Sequence, residues 1–443
     1  MKPQALIEFI RDTYKTNDFI PLHAPTFTGN EKNYVVETID STFVSSVGKF
    51  VDEFERKMEE FTGSTRAVAT VNGTAALHTA LYMAGVRAND LVITQALTFV
   101  ATCNALYHMG AQPIFVDVSP ISLSLCPKAV EQYLEEHAEL TESGCFHKQT
   151  KQAIKAVVPM HTFGHPAELD ELLSVCQKWQ LALVEDAAES LGSFYKGKHT
   201  GTIGEFSALS FNGNKIITTG GGGMVLCATE ETGKHTKHVT TTAKIPHPYE
   251  FFHDEPGFNY RLPNLNAALG CAQMEHLPLF LEQKRRLANQ YQDFFAGSDY
   301  QFVVEPSYAK SNYWLNAVIC SDAKSRNELL KQTNEAGVMT RPIWKLMHRL
   351  PMFKDALCGE LNQSEFIEAH LINLPSTPLW LVLIQMTYFQ IVTISGNTVR
   401  YMRMTVSILN FAILSINILS YLVRWKEKLK LLAKLTLMKN CMI

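Results

Sequence analysis

Short apolar, strand-like runs alternate with helical ones between residues 67 and 227, and this alternation constrains the fold more than any other feature. "AVATV" (67–71) precedes the helical "GTAALHTALYMAG" (73–85), and "LVIT" (91–94) precedes "FVATCNALYHMG" (99–110). "PIFVDV" (113–118), "IKAVVPM", a helix over about 167–179, "LALVED" (181–186), "SALSF" (207–211) and "MVLC" (224–227) complete the series. Strands that alternate with helices form βαβ units, which implies an α/β domain with a mostly parallel sheet covered on both faces. Ligands on such sheets gather at the carboxyl ends of the strands. Upstream, residues from about 30 to 62 read as amphipathic helix with a turn at Gly48. The expected division is a large domain over 1–254, a smaller domain over 255–377 and a tail over 378–443.

Composition narrows the function classes. A chain that is 46% apolar and 19% charged has enough apolar material for a large core. A net charge of -3 gives no electrostatic reason to expect nucleic acid or an anionic membrane as partner. The nine cysteines are scattered with no CxxC pair, so neither a metal site nor a disulfide framework is signalled, and a reducing cytoplasm is the expected setting. "MKPQALIEFIRDTY" contains acidic residues and no apolar h-region, so a signal peptide is not expected.

The residues after the strands carry the chemistry. Asn72-Gly73-Thr74-Ala75 is a glycine turn opening a helix, with Thr74 the expected N-cap. It reads either as an ordinary capped helix or as a phosphate site, since a helix N-terminus offers free N–H groups to an anion. Phe99 is core packing or a ring that stacks on a flat ligand. Asp186 ends an apolar strand, where a carboxylate is costly without a partner; it caps a turn or holds a proton on a heteroaromatic nitrogen. Lys215, in "SFNGNKIITTGGGGM", snorkels to the surface or serves as a reactive amine. The glycines after it imply a close approach to the backbone. "GSFYKGKH" nearly matches a nucleotide-triphosphate loop, but His199 stands where the magnesium-binding hydroxyl belongs, so it reads as a polar turn. Together the set suits pyridoxal phosphate. That cofactor needs a lysine amine for a Schiff base, a carboxylate at its pyridine nitrogen, a ring sandwich and a phosphate cradle.

The chain resembles the DegT/DnrJ/EryC1/StrS sugar aminotransferases, fold-type-I pyridoxal-phosphate enzymes. The segments that carry this are "NGTAALHTAL", "TQALTFVATCNA", "HTFGHPAELDEL", "VEDAAESLGSFYKGKHTGTIGEFSALSFNGNKIITTGGGG" and "GFNYRLPNLNAALGCAQ", within roughly 20–377. "STFVSSVGKFV", "TTTAKIPHPYEF" and "TRPIW" are most similar to the LegC-like subgroup. The resemblance implies a large domain with a mostly parallel sheet, a smaller C-terminal α+β domain, and a homodimer with shared active sites. It implies that Lys215 makes the Schiff base and moves protons, that Asp186 pairs with the pyridinium and that Phe99 stacks on the ring. Gly73, Thr74, Ala75 and Ser210 would hold the phosphate, with Ala188 and Glu189 beside the cofactor. Asn259 would reach the neighbouring subunit's cofactor phosphate, and His161, Lys244 and Arg341 would contact substrate. The implied reaction carries an amino group from glutamate to a nucleotide-linked 4-keto-6-deoxy sugar. The subgroup points to a UDP-2-acetamido-2,6-dideoxy-4-hexulose; GDP-4-keto-6-deoxymannose, or a silent relative that only binds such ligands, are the alternatives.

The resemblance stops near "HLINLPSTP". From Leu379 onward the chain has no Asp, one acidic residue (Glu427) and one glycine (Gly396). Three readings stand: an out-of-frame replacement of the native end, a divergent helical end, or a membrane anchor at 404–423 followed by basic "RWKEKLK".

Overall fold

Eight strands form the central sheet of the computed structural model, in the order 66–70, 223–227, 206–210, 182–186, 154–158, 91–95, 112–116, 357–358. Strand Gly223–Cys227 runs antiparallel to both of its neighbours; the other pairings are parallel. The structure describes residues 2–379 and two strands at 389–395 and 398–404. The alternation in the sequence therefore becomes a mostly parallel α/β sheet, as expected.

The strands sort their side chains with a period of two. Leu91, Ile93, Ile114, Val116, Val157 and Leu183 join one buried cluster with helices Pro127–His137 and Leu169–Trp179. Val92, Ala156, Val158 and Val184 face the opposite cluster, built with helices Gly73–Met83 and Val100–His108. Each fully buried aliphatic side chain contributes about 1.5–3 kcal/mol. With both faces covered, the strand ends are left to bind ligands.

Helix Asn264–Phe295 links this layer to a second one. Its first part packs against helices Glu31–Asp40 and Lys49–Thr62. Its last turns, through Leu287, Tyr291 and Phe295, enter a core with Phe302, Val318, Leu329 and Ile372. That core surrounds a four-stranded antiparallel sheet ordered 301–302, 316–319, 371–374, 341–342. The N-terminal helix Pro3–Tyr14 packs here too, through Leu6, Ile7 and Ile10. The expected boundary at 255 thus falls just before a helix that both layers share, and the chain's first residues belong to the second layer.

The chain divides into two units, 1–379 and 380–443. In the second, strands Phe389–Ser395 and Thr398–Met404 form an antiparallel hairpin. The rest of the stretch 404–423, for which a membrane anchor was one of the three readings, lies outside the described residues. Among the described residues no helix is long and apolar enough to cross a membrane.

Candidate active site

Four strand ends converge on one cavity of about 610 Å³. Gly73, Thr74, Phe99, Asp186, Ala188, Glu189, Ser210, Lys215 and Arg341 line it. At the end of strand Arg66–Thr70 the chain turns into helix Gly73–Met83. The cap is Asn72, not the expected Thr74. Asn72 holds extended backbone angles (φ -165, ψ 169), and its Oδ1 accepts the Ala75 N–H at 2.8 Å. Ala75 therefore spends its N–H on the cap and is absent from the cavity lining, while Gly73 and Thr74 border the cavity at the helix N-terminus. A Cβ on Gly73 would stand 2.7 Å from the Ser210 Cβ, and one on Gly223 would stand 2.4 Å from the Asn72 carbonyl oxygen. Glycine is required at both places to keep this turn seated against Ser210.

Asp186 is 5% exposed. Its carboxylate accepts the Thr102 hydroxyl at 2.7 Å and the Ala188 N–H at 3.2 Å. Burial pushes its carboxyl above the usual aspartate value, against the lowering effect of these bonds and of the Lys215 charge. Lys215 lies with Nζ 4.0 Å from the centre of the Trp314 ring and 3.6 Å from Glu189 Oε1. The Trp314 ring is fixed by its Nε1 donating to the Asn214 carbonyl at 2.6 Å. Phe99 is 48% exposed and meets Trp344 edge-on, with centroids 6.3 Å apart.

Glu189 accepts the Phe163 N–H at 2.9 Å. Burial, opposed by the Lys215 charge, pushes its carboxyl up to about 7. The protonated form is favoured in the fold, so the stabilising contribution is complete below the ordinary value of 4.5 and is lost as pH rises through about 7. The gap corresponds to about 3 kcal/mol. The apoprotein is expected to lose that much stability between pH 5 and 8 relative to Glu189→Gln, read as a pH-dependent gap in chemical denaturation. Parallel profiles would refute it.

Three more expected residues lie outside the lining. His161 is fully buried: its Nε2 sits 3.0 Å from Glu185 Oε2, and its Nδ1 accepts the Ala167 N–H at 3.2 Å. Burial alone would push the Glu185 carboxyl up, but the bond from His161 and the N–H groups of Gly201 and Gly204 hold it below the usual glutamate value. His161 is thus a hydrogen-bond partner of Glu185 and does not border this cavity. Lys244 is exposed on a two-stranded ribbon, 4.3 Å over the Phe251 ring, and does not border this chain's cavity. Asn259 is exposed, with Oδ1 accepting from Arg261 at 2.9 and 3.1 Å, and is also outside the lining. The near-match to a triphosphate loop is a hairpin, Phe194–Tyr195 with Lys198–His199, and His199 is buried, with Nε2 accepting the Gly192 N–H. Trp314, Trp344 and Asn373 border the cavity without having been singled out in the sequence.

Comparison with known proteins places this geometry. The profile of the DegT/DnrJ/EryC1/StrS aminotransferase family matches residues 25–380. The GDP-perosamine synthase of Escherichia coli O157:H7 is 35% identical over 364 residues, spanning 81% of this chain and 94% of that protein. EpsN of Bacillus subtilis (strain 168), named for pyridoxal phosphate-dependent amino transfer, is 36% identical over 339 residues, spanning 76% and 84%. The solved aminotransferase TlmJ from Streptoalloteichus hindustanus superposes with a TM-score of 0.73 at 25% identity, over 81% of this chain and 93% of that one.

Proposed function

The chain belongs to the DegT/DnrJ/EryC1/StrS aminotransferase family, and we propose that it transfers an amino group from glutamate to the keto group of a nucleotide-linked 4-keto-6-deoxy sugar. It is a pyridoxal phosphate-dependent aminotransferase. The observation that carries the reading is the meeting of Lys215, Asp186 and the Gly73–Thr74–Ser210 cradle in one cavity. These residues fit the cofactor. Gly73 and Thr74 at the helix N-terminus border the cavity together with Ser210, an arrangement of N–H and hydroxyl donors that suits a phosphate. A buried carboxylate with two donors already bound has capacity left for a third, on a ring nitrogen.

When bound, pyridoxal phosphate supplies an electron sink for the carbon that gains or loses the amino group. In this reading Asp186 holds the proton on the ring nitrogen, and Phe99 covers one ring face. Lys215 Nζ attaches the cofactor and then carries a proton to and from the reacting carbon. Glu189, 3.6 Å from Nζ with its carboxyl pushed up to about 7, can release or take up a proton as the Lys215 charge changes.

The relatives named GDP-perosamine synthase favour GDP-4-keto-6-deoxymannose over the UDP-linked acetamido sugar expected from the LegC-like segments. A second copy of the chain would complete the site. Tyr249, Phe251 and Phe252 are exposed on the ribbon near Lys244, an apolar surface that a second copy would cover, and in this reading Asn259 reaches the partner's phosphate. To test the reading, the purified protein is incubated with glutamate and each of the two keto-sugars. The expected result is 2-oxoglutarate together with an aminated GDP-sugar. Product from the UDP-sugar alone would restore the first expectation, and no 2-oxoglutarate with either would refute amino transfer from glutamate.

A further inference from the structure

Asn373 carries a buried amide nitrogen that the described residues leave unpaired. It sits on strand Leu371–Leu374, is 4% exposed and lines the cavity. Its Nδ2 has no hydrogen-bond partner among the described residues. An unpaired buried donor is costly, and it persists where a ligand supplies the missing bond. Asn373 stands directly opposite Arg341 across the antiparallel pair with Arg341–Pro342. Opposed residues share a face of the sheet, and both of these border the cavity. Arg341 donates through Nη1 to Asn334 Oδ1 and the Thr340 carbonyl, each at 3.0 Å, and pairs with no carboxylate of the described residues. The Lys215 charge, by contrast, already has Glu189 at 3.6 Å.

An amide N–H and an uncompensated guanidinium, side by side on one wall, form a clamp for an anion. A carboxylate and a diphosphate share that chemistry. The wall offers one cation, which matches the single charge of a carboxylate better than the larger charge of a diphosphate. We propose that Asn373, acting with Arg341, binds a carboxylate of the dicarboxylic amino donor and so helps select that donor. The inference rests on the aminotransferase reading above.

The test uses the cofactor-loaded protein and three probes measured by calorimetry: glutarate, a dicarboxylate with no amino group to transfer, and GDP and UDP. Asn373→Leu is expected to weaken glutarate binding about tenfold, equivalent to about 1.4 kcal/mol, and to raise KM for glutamate without lowering kcat. Nucleotide binding should stay unchanged. The variant should also melt at or above the wild-type temperature, because it removes an unpaired buried amide; an amide that only supported the fold would give the reverse. Asn373→Asp is the second variant, in case the leucine disturbs the strand. It places a negative charge opposite Arg341 and should weaken glutarate at least as much. Wild-type glutarate affinity in both variants would overturn the proposal. So would a loss confined to GDP or UDP, which would assign the wall to the diphosphate. If the wild-type protein makes no 2-oxoglutarate yet both variants lose glutarate, amino transfer fails while the carboxylate clamp stands.

Discussion

Lys215→Ala is expected to lower amino transfer by about 10²- to 10⁴-fold, the range over which a positioned proton-transfer group contributes, with loss of the visible absorbance of lysine-linked cofactor. The side chain is held on two sides. Trp314 presents its ring face 4.0 Å from Nζ, and Glu189 stands 3.6 Å away. An amine fixed in this way reaches one place in the cavity, so its proton is delivered to one carbon rather than to solvent. Alanine removes the amine and leaves the rest of the pocket standing. The phosphate cradle draws on Gly73, Thr74 and Ser210, whose place on the cavity wall is set by strands Arg66–Thr70 and Phe206–Ser210. The variant should therefore retain the cofactor noncovalently, released by dialysis faster than from wild type. Glu189 would lose the charge that lowers its carboxyl and would stay protonated to higher pH, so no buried charge is stranded and the fold should persist. Turnover within about tenfold of wild type would mean that another base moves the proton, and the role assigned to Lys215 would be wrong.

The residues nearest a strand end were the legible ones. Gly73, Asp186, Ser210 and Lys215 each follow an apolar run closely, and the sheet brings those run ends together. His161 follows such a run as well, but Glu185 reaches it from the adjacent strand and takes its ring nitrogen away from the cavity. Nothing in the linear pattern distinguishes a strand-end histidine facing ligand from one facing a buried acid. The cap went to Asn72 over Thr74 because both residue types can cap; the choice is made by which one keeps extended backbone angles. Trp314, Trp344 and Asn373 were illegible for a different reason. They belong to the second layer, whose strands are as short as Arg341–Pro342 and carry no readable period. They reach the cavity only because the helix Asn264–Phe295 and the antiparallel sheet hold that layer over the strand ends.

Asp186→Asn separates charge from shape. Its amide oxygen can still accept the Ala188 N–H, 3.2 Å from one carboxylate oxygen, while its Nδ2, in place of the oxygen 2.7 Å from Thr102, can donate to that hydroxyl, which then donates to Thr98 Oγ1 at 2.8 Å. What disappears is the negative charge that would hold a proton on the ring nitrogen. Without that proton the ring withdraws electrons less strongly, and a loss of about 10³-fold in turnover is expected, or about 4 kcal/mol at 1.36 kcal/mol per tenfold. Stability should move the other way. Burial already pushes the Asp186 carboxyl up, which means the charged form is disfavoured in the empty cavity. A neutral amide of the same shape avoids that cost, so the apoprotein of the variant should melt no lower than wild type. Asp186→Ala gives the contrasting control: it loses the charge and also leaves the Thr102 hydroxyl without its carboxylate, adding a stability cost of about 1–3 kcal/mol. A reduced melting temperature for alanine, an unchanged one for asparagine and an equal loss of turnover in both would assign the rate to the charge alone. Turnover retained by asparagine would place the ring nitrogen away from Asp186 and remove the basis for reading this carboxylate as its partner.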